Sequence, residues 1–212
     1  MISRRVQGFT ESVIREMTRV NAEYGGVNLA QGFPNFQPPK ELLEAAHRAL
    51  DGDFHQYAIT WGARNLREAV ARKFERFYGQ LVNPETQVTV CCGSTEAMLA
   101  TLLAVLDPGD EIIIFEPFYE NYGPASIISG ARPVYVPLEP PEFTFDPDRL
   151  ARAFSPTTRA IVFNSPNNPT GKVFSLRELE IIRHSAGGPG EARIEAADRR
   201  RRRSDRAAPG AA

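Results

Sequence analysis

Val88-Thr89-Val90-Cys91-Cys92-Gly93-Ser94-Thr95-Glu96 runs from a β-branched, apolar stretch through a glycine into hydroxyl and acidic residues that suit the first turn of a helix. It reads as a strand delivering the chain into a helix expected over Glu96 to Leu106. The alternation then repeats. The turn Asp107-Pro108-Gly109-Asp110 leads to a strand over Glu111 to Phe115, a helical stretch near Tyr119 to Ser129 and a strand over Pro133 to Val136. Asp146 caps a helix with Pro147 in its first turn, running to Phe154, and Arg159 to Phe163 is the next strand. Short β-rich runs alternating with helical ones mark βαβ units, so the expected fold class is α/β, with a largely parallel sheet and flanking helices.

Upstream of that stretch the pattern is helical. Val13, Ile14, Met17 and Val20 recur at helical spacing within Thr10 to Tyr24, and Gly25-Gly26 supplies a stop. A polar, proline-rich segment from Asn28 to Pro39 precedes a helix over Glu41 to Leu50. A third helix covers Leu66 to Tyr78, with Leu66, Val70, Phe74 and Phe77 on one face and Gly79 behind it. Downstream of the last strand, Ser175 and Glu178 form a capping box opening a helix whose apolar residues are Leu176, Leu179, Ile181 and Ile182. From His184 the composition changes: Gly187-Gly188-Pro189-Gly190, five arginines from Arg199 to Arg203, and Ile194 as the single large aliphatic residue. Too little apolar surface is present there to offset chain entropy, and this tail is not expected to fold.

With 212 residues, 42% of them hydrophobic, the chain can bury a sizeable core. The formal charge of -1 argues against a broad nucleic-acid footprint, though it hides a split. The tail holds seven arginines and four acidic residues, leaving 18 basic and 22 acidic residues before it. Cys91 and Cys92 are adjacent in the expected strand and so point to opposite faces, which suits reduced core packing and neither a disulfide framework nor metal ligands. The N-terminus has no apolar run behind Arg4-Arg5, and nothing approaches the ~20 apolar residues of a membrane span. A cytoplasmic protein with no membrane partner is the expectation.

Two stretches can carry chemistry. At Cys92-Gly93-Ser94-Thr95-Glu96, backbone N–H groups at a helix start and two hydroxyls make a phosphate cradle, or Ser94 or Thr95 simply caps the helix. The stretch is neither a Walker loop nor a GxGxxG fingerprint. Asn164-Ser165-Pro166-Asn167-Asn168-Pro169-Thr170-Gly171 follows a strand directly, where open α/β sheets bind ligands and an asparagine amide can bond a ring substituent or a carboxylate. The same residues also make an ordinary turn.

Taken in order, several stretches match one family. Asn28-Leu29-Ala30-Gln31-Gly32-Phe33-Pro34, His55-Gln56-Tyr57 with Gly62 and Leu66-Arg67-Glu68-Ala69, Gly93-Ser94-Thr95-Glu96-Ala97, Glu116-Pro117-Phe118-Tyr119, and Asn167-Asn168-Pro169-Thr170-Gly171 stand at compatible spacing. On them the chain resembles the N-terminal part of the pyridoxal-phosphate-dependent aminotransferases of fold type I, class I/II, and most of all their kynurenine, glutamine and methionine aminotransferase branch. The resemblance implies transfer of an amino group from an amino acid to a 2-oxo acid through pyridoxal 5'-phosphate in a homodimer. Ser94 and Thr95 would hold the cofactor phosphate, Tyr119 would stack on the pyridine ring and Asn168 would bond its phenolic oxygen. Tyr57 would reach the phosphate held by the other subunit, and Gly32 with Asn168 would lie on the substrate's carboxylate side. Tyr57 and Tyr119 also suit half-buried core aromatics, and Gly32 a turn. No metal is implied.

The same resemblance implies parts that the expected half-fold does not supply. The family uses a Schiff-base lysine. The lysines here are Lys40 at a helix start, Lys73 on a solvated helix face and Lys172 after the Asn-Pro-Thr-Gly motif. None matches the family's Ser/Thr-rich lysine stretch, which comes well after that motif, so no catalytic residue is assigned. The family's Asp at the pyridine nitrogen, its Arg at the cofactor phosphate and its substrate-binding C-terminal Arg are likewise unmatched. Residues 1–40 would be the N-terminal helix and arm of the small domain, 41–183 an incomplete large domain, and 184–212 a disordered tail, out-of-frame in origin. The strand Val88 to Cys92 would lack its central neighbours, which favours aggregation. The enzyme is thus expected in a truncated, inactive form; a carbon–sulfur β-lyase of the same fold, or a non-catalytic binding or regulatory fragment using Arg199 to Arg203, are the alternatives.

Overall fold

Five consecutive residues from Glu111 to Phe115 are buried, and Ile112, Ile113 and Ile114 have no exposed surface. A strand covered on both faces belongs in the middle of a parallel sheet. This is β1 (Glu111–Glu116), and it pairs in parallel with β2 (Arg132–Pro137) on one side and β3 (Thr158–Val162) on the other, in the order β2-β1-β3. The computed structural model describes residues 3–187 apart from Gly8, Thr10 and Phe33, and these three strands make up the sheet among the described residues. Four helices precede it: α1 (Val13–Tyr24), α2 (Lys40–Leu50), α3 (Arg64–Tyr78) and α4 (Gly93–Val105). Helices α5 (Tyr122–Ile128), α6 (Pro147–Ala153) and α7 (Leu176–Ala186) alternate with or follow the strands.

The chain divides into two compact units at Met98/Leu99, within α4: Gly8–Met98, and Met1–Gln7 with Leu99–Ala212. In the second, the sheet unit, Ile113 and Phe115 of β1 join Val136, Leu138, Phe145, Leu150, Phe174 and Ile182 in one core. Phe115 lies 5.2 Å from Phe145 and 5.6 Å from Phe174, ring centre to ring centre. Each such side chain contributes about 1.5–3 kcal/mol by leaving water. Period-two alternation sends Ile112 and Ile114 to the opposite face, and α5 packs on β1 and β2.

Charge sets the register at the amino end of the sheet. Buried Glu111 is ion-paired with Arg132 of β2 and accepts hydrogen bonds from Ser155 Oγ and Thr158 Oγ1, while neighbouring Asp110 lies 3.4 Å from Arg159 of β3. Two adjacent acids before and at the start of β1 thus hold one arginine on each flanking strand. At the ends of helices the expected caps are present: Asp146 accepts from Asp148 N–H with Pro147 in the first turn of α6, and Ser175 and Glu178 make both bonds of the capping box of α7.

In the helical unit, a buried cation does the holding. Arg67, 1% exposed, donates to the carbonyls of Gly62 and Pro84 and pairs with Glu85 at 3.3 Å. Gly62 has a φ of +104°, and a Cβ there would come within 2.5 Å of Val90 Cγ2. Val90 N–H in turn donates to Trp61 O at 3.0 Å.

Three expectations change here. Val88 to Cys92 is not a strand: among the described residues it pairs with no strand, and Val90 N–H donates to a loop carbonyl instead, so β-rich content alone does not make a ladder. Cys91 is half-buried and Cys92 exposed, both free, and neither is a core residue, since without a ladder there is no sheet face to fill. On α3 the buried positions are Arg67 and Ala71, while Leu66, Val70, Phe74 and Phe77 keep exposed surface. Helix α7 also runs past Arg183 to Ala186, burying Ile182 and Ala186, before Gly187 caps it. The rest of the expected tail, including Arg199 to Arg203, lies outside the described residues. Among the described residues no helix is long and apolar enough to cross a membrane, and no group of three His, Cys, Asp or Glu is placed to hold a metal.

Candidate functional site

Because β1 and β3 are parallel neighbours, the loops that leave their carboxyl ends emerge on the same side of the sheet, the side where α/β sheets bind ligands. The first loop carries Pro117, Phe118 and Tyr119; the second runs from Phe163 to Gly171. Asn167, 5% exposed, joins them: its Nδ2 donates to Pro117 O at 3.2 Å and to Thr170 Oγ1 at 2.9 Å. Its backbone closes the second loop, with Asn167 N–H donating to Lys172 O and Asn167 O accepting from Gly171 N–H, both at 2.7 Å. Asn168 is exposed beside it, and its N–H is held by Asn164 Oδ1 at 2.8 Å.

Tyr119 is half-buried and held from two directions. Asn121 Nδ2 donates to its hydroxyl at 3.1 Å, and the Tyr122 ring meets it edge-on at 5.8 Å. Burial, and then the Tyr119 hydroxyl, push the Tyr122 phenol above its ordinary value. Phe118 stacks on Tyr135 of β2 at 5.3 Å with the rings nearly parallel; burial and the Glu116 carboxylate raise the Tyr135 phenol too. This end of the sheet is therefore lined by aromatic rings.

Ser94 and Thr95 stand exposed in the first turn of α4, in the helical unit. The chain enters that turn through Gly93 at φ +83°, a backbone state that residues with a Cβ rarely adopt, with open space where a side chain would be. Glu96 reaches back to accept the Cys92 N–H, satisfying one donor at this helix start. Donors and dipole together suit an anion.

Gly32 and Tyr57, also in the helical unit, are exposed; Tyr57 is fully so and is no core aromatic. The Gly32 stretch is pinned to α1, since Asn28 Nδ2 donates to Thr18 Oγ1 at 3.2 Å and Asn28 Oδ1 accepts from Ala30 N–H at 2.9 Å. Of the six expected site residues, Tyr119 and Asn168 lie on two loops that Asn167 ties to each other, through Pro117 O and Thr170 Oγ1; Ser94, Thr95, Tyr57 and Gly32 occupy three separate segments of the other unit. Asn167 was not among the expected site residues: no local signal distinguishes it from Asn168, and only the tertiary bond to Pro117 O and its burial set it apart.

Lys172 lies 2.8 Å from Glu178, with 12% of its side chain exposed, and its ammonium stands 5.8 Å from the Phe174 ring centre. Burial pushes the Glu178 carboxyl up, but the Lys172 and Ser175 hydrogen bonds outweigh it and leave the carboxyl below its ordinary value. Lys40 and Lys73 are exposed on α2 and α3.

The aminotransferase class I and II family model matches residues 24–187. The chain belongs to that family. It is similar to a probable N-succinyldiaminopimelate aminotransferase of Mycobacterium tuberculosis, at 42% identity over 180 residues covering 84% of this chain and 45% of that protein. It is similar to the human kynurenine–oxoglutarate transaminase 1 at 39% identity, covering 85% of this chain and 46% of the relative. Among solved structures, the N-succinyldiaminopimelate aminotransferase from M. tuberculosis superposes with a TM-score of 0.81 at 41% identity, over 88% of this chain and 49% of the other. The Escherichia coli methionine aminotransferase superposes with a TM-score of 0.80 at 33% identity, over 89% of this chain and 49% of that one. The fold is therefore that of the fold type I aminotransferases, and the chain spans about half the length of the relatives it matches.

Proposed function

We propose that this chain carries cofactor-holding parts of a pyridoxal-phosphate-dependent aminotransferase that moves an amino group from an amino acid to a 2-oxo acid. Family membership supports the reading, and the observation that carries it within the molecule is the Asn167 bridge, which fixes the loops bearing Tyr119 and Asn168 at one end of the sheet. The residues present fit the group: an anion-favouring helix start at Ser94 and Thr95, a half-buried aromatic ring at Tyr119, and an exposed amide at Asn168.

When bound, pyridoxal phosphate supplies an electron sink for bond changes at the substrate's α-carbon. The protein's share is placement. Ser94 and Thr95 would hold the phosphate, Tyr119 would cover a ring face, and Asn168 would donate to the phenolic oxygen. Gly32, with Asn168, would leave room for the substrate carboxylate. Tyr57, fully exposed on its own chain, would serve the phosphate site of a second subunit in a homodimer. The division into an arm (1–40), an incomplete large domain (41–183) and a tail (184–212), and a cytoplasmic location, belong to the same proposal. With Lys172 committed to Glu178 and Lys40 and Lys73 exposed on helices, the 212 residues by themselves form an inactive version.

Equilibrium dialysis of the purified chain against pyridoxal phosphate tests this. Saturable binding at one site per chain, displaced by inorganic phosphate and weakened about tenfold by S94A with T95A, is expected. Absence of saturable binding, or binding indifferent to phosphate and to both substitutions, would sink the reading.

A further inference from the structure

The Asn167 side chain is nearly buried, and both hydrogens of its amide go to oxygens of loops that leave two different strands. Pro117 O belongs to the loop carrying Tyr119, two residues on, and Thr170 Oγ1 to the loop carrying Asn168. A backbone carbonyl cannot adjust its chemistry, so only a donor at this position can hold it. Thr170 Oγ1 also accepts from Lys172 N–H at 3.2 Å, and Lys172 is fastened to α7 through Glu178.

We infer that Asn167 is a positioning residue that sets the Tyr119 loop and the Asn168 loop in one frame, so that ring and amide meet a cofactor together. The inference rests on the proposed cofactor site for its purpose, but the coupling itself exists without any ligand. An aspartate in its place keeps the shape and loses the donor. Thr170→Val removes the two bonds that Thr170 Oγ1 accepts within the second loop, from Asn167 and from Lys172 N–H, and keeps the bond from Asn167 to Pro117.

Hydrogen exchange on the ligand-free 212-residue chain decides the coupling. N167D is expected to speed amide exchange in residues 118–122 by about tenfold, T170V to leave those amides at the wild-type rate, and both to leave β1 protected. Unchanged exchange at 118–122 in N167D, or equal acceleration in T170V, overturns the inference. Should N167D lose protection in β1 as well, the wild-type chain in low denaturant settles it: residues 118–122 and 167–171 opening with the same denaturant dependence supports the coupling, and independent opening overturns it. Dialysis then reads the purpose. N167D is expected to raise the Kd for pyridoxal phosphate about tenfold and to leave the Kd for inorganic phosphate unchanged, a split that general destabilisation would not produce. A wild-type chain that binds no pyridoxal phosphate refutes the functional reading while the exchange result stands on its own.

Discussion

Lys172 Nζ sits 2.8 Å from Glu178 Oε1, and this pair fastens the end of the Asn167–Gly171 loop to the first turn of α7. The lowered Glu178 carboxyl makes the contribution pH-dependent. A carboxyl depressed on folding adds stability that is fully present above its ordinary value of 4.5 and is lost as pH falls through the depressed value. Glu178→Gln keeps the capping geometry and loses the ion pair, so it is expected to cost about 1–2 kcal/mol at pH 7, between the exposed and buried limits. Melts of both proteins from pH 7 to pH 3 should show that gap constant down to about 4.5 and closing below it.

The same ion pair bears on lysine chemistry. After incubation with pyridoxal phosphate and borohydride reduction, peptide mapping should find no stoichiometric modification at a single lysine, only scattered labelling at exposed Lys40 and Lys73. A clean, stoichiometric adduct at Lys172 would contradict the assignment of that side chain to Glu178.

Arg67 predicts a steep contrast between two substitutions that touch one ion pair. Arg67→Met strands the Gly62 and Pro84 carbonyls in a buried site and is expected to cost about 3–5 kcal/mol, whereas Glu85→Gln, on a half-exposed partner, costs under about 1 kcal/mol. Trp61 is the single tryptophan and lies 6.0 Å from the Arg67 guanidinium, so its fluorescence during urea unfolding reports this site directly.

Gly62→Ala combines a positive φ with a collision at Val90 and should cost about 3 kcal/mol. Adding Val90→Gly removes both colliding atoms, Cγ2 and Cβ, and leaves the backbone strain, so the double variant should cost less than the sum of the two singles in urea melts.

What the sequence made legible follows from the range of the forces involved. The capping box at Ser175 and Glu178, the Asp146–Pro147 helix start and the turn at Asp107 to Asp110 are local, and each is where the residues place it. Val88 to Cys92 misleads because apolar, β-branched content says only that a segment suits a sheet; whether a ladder partner is present is decided by residues far along the chain. The stripe on α3 misleads similarly: spacing shows that Leu66, Val70, Phe74 and Phe77 share a face, and gives no account of what covers it. Ordered motifs singled out the two loops that carry Tyr119 and Asn168, and Asn167 ties those loops together. Asn167 itself was not legible, since two adjacent asparagines look alike until tertiary contacts bury one and expose the other.

The paired acids Asp110 and Glu111 carry a practical corollary. All of the charged fastening between β1 and its neighbours described above is gathered at the amino end of the sheet, away from Tyr119 and Asn168. The contacts that fix the register are thus kept apart from the loops at the far rim, which can be rewritten, in evolution or at the bench, for a different ligand while the strand pairing underneath is left alone.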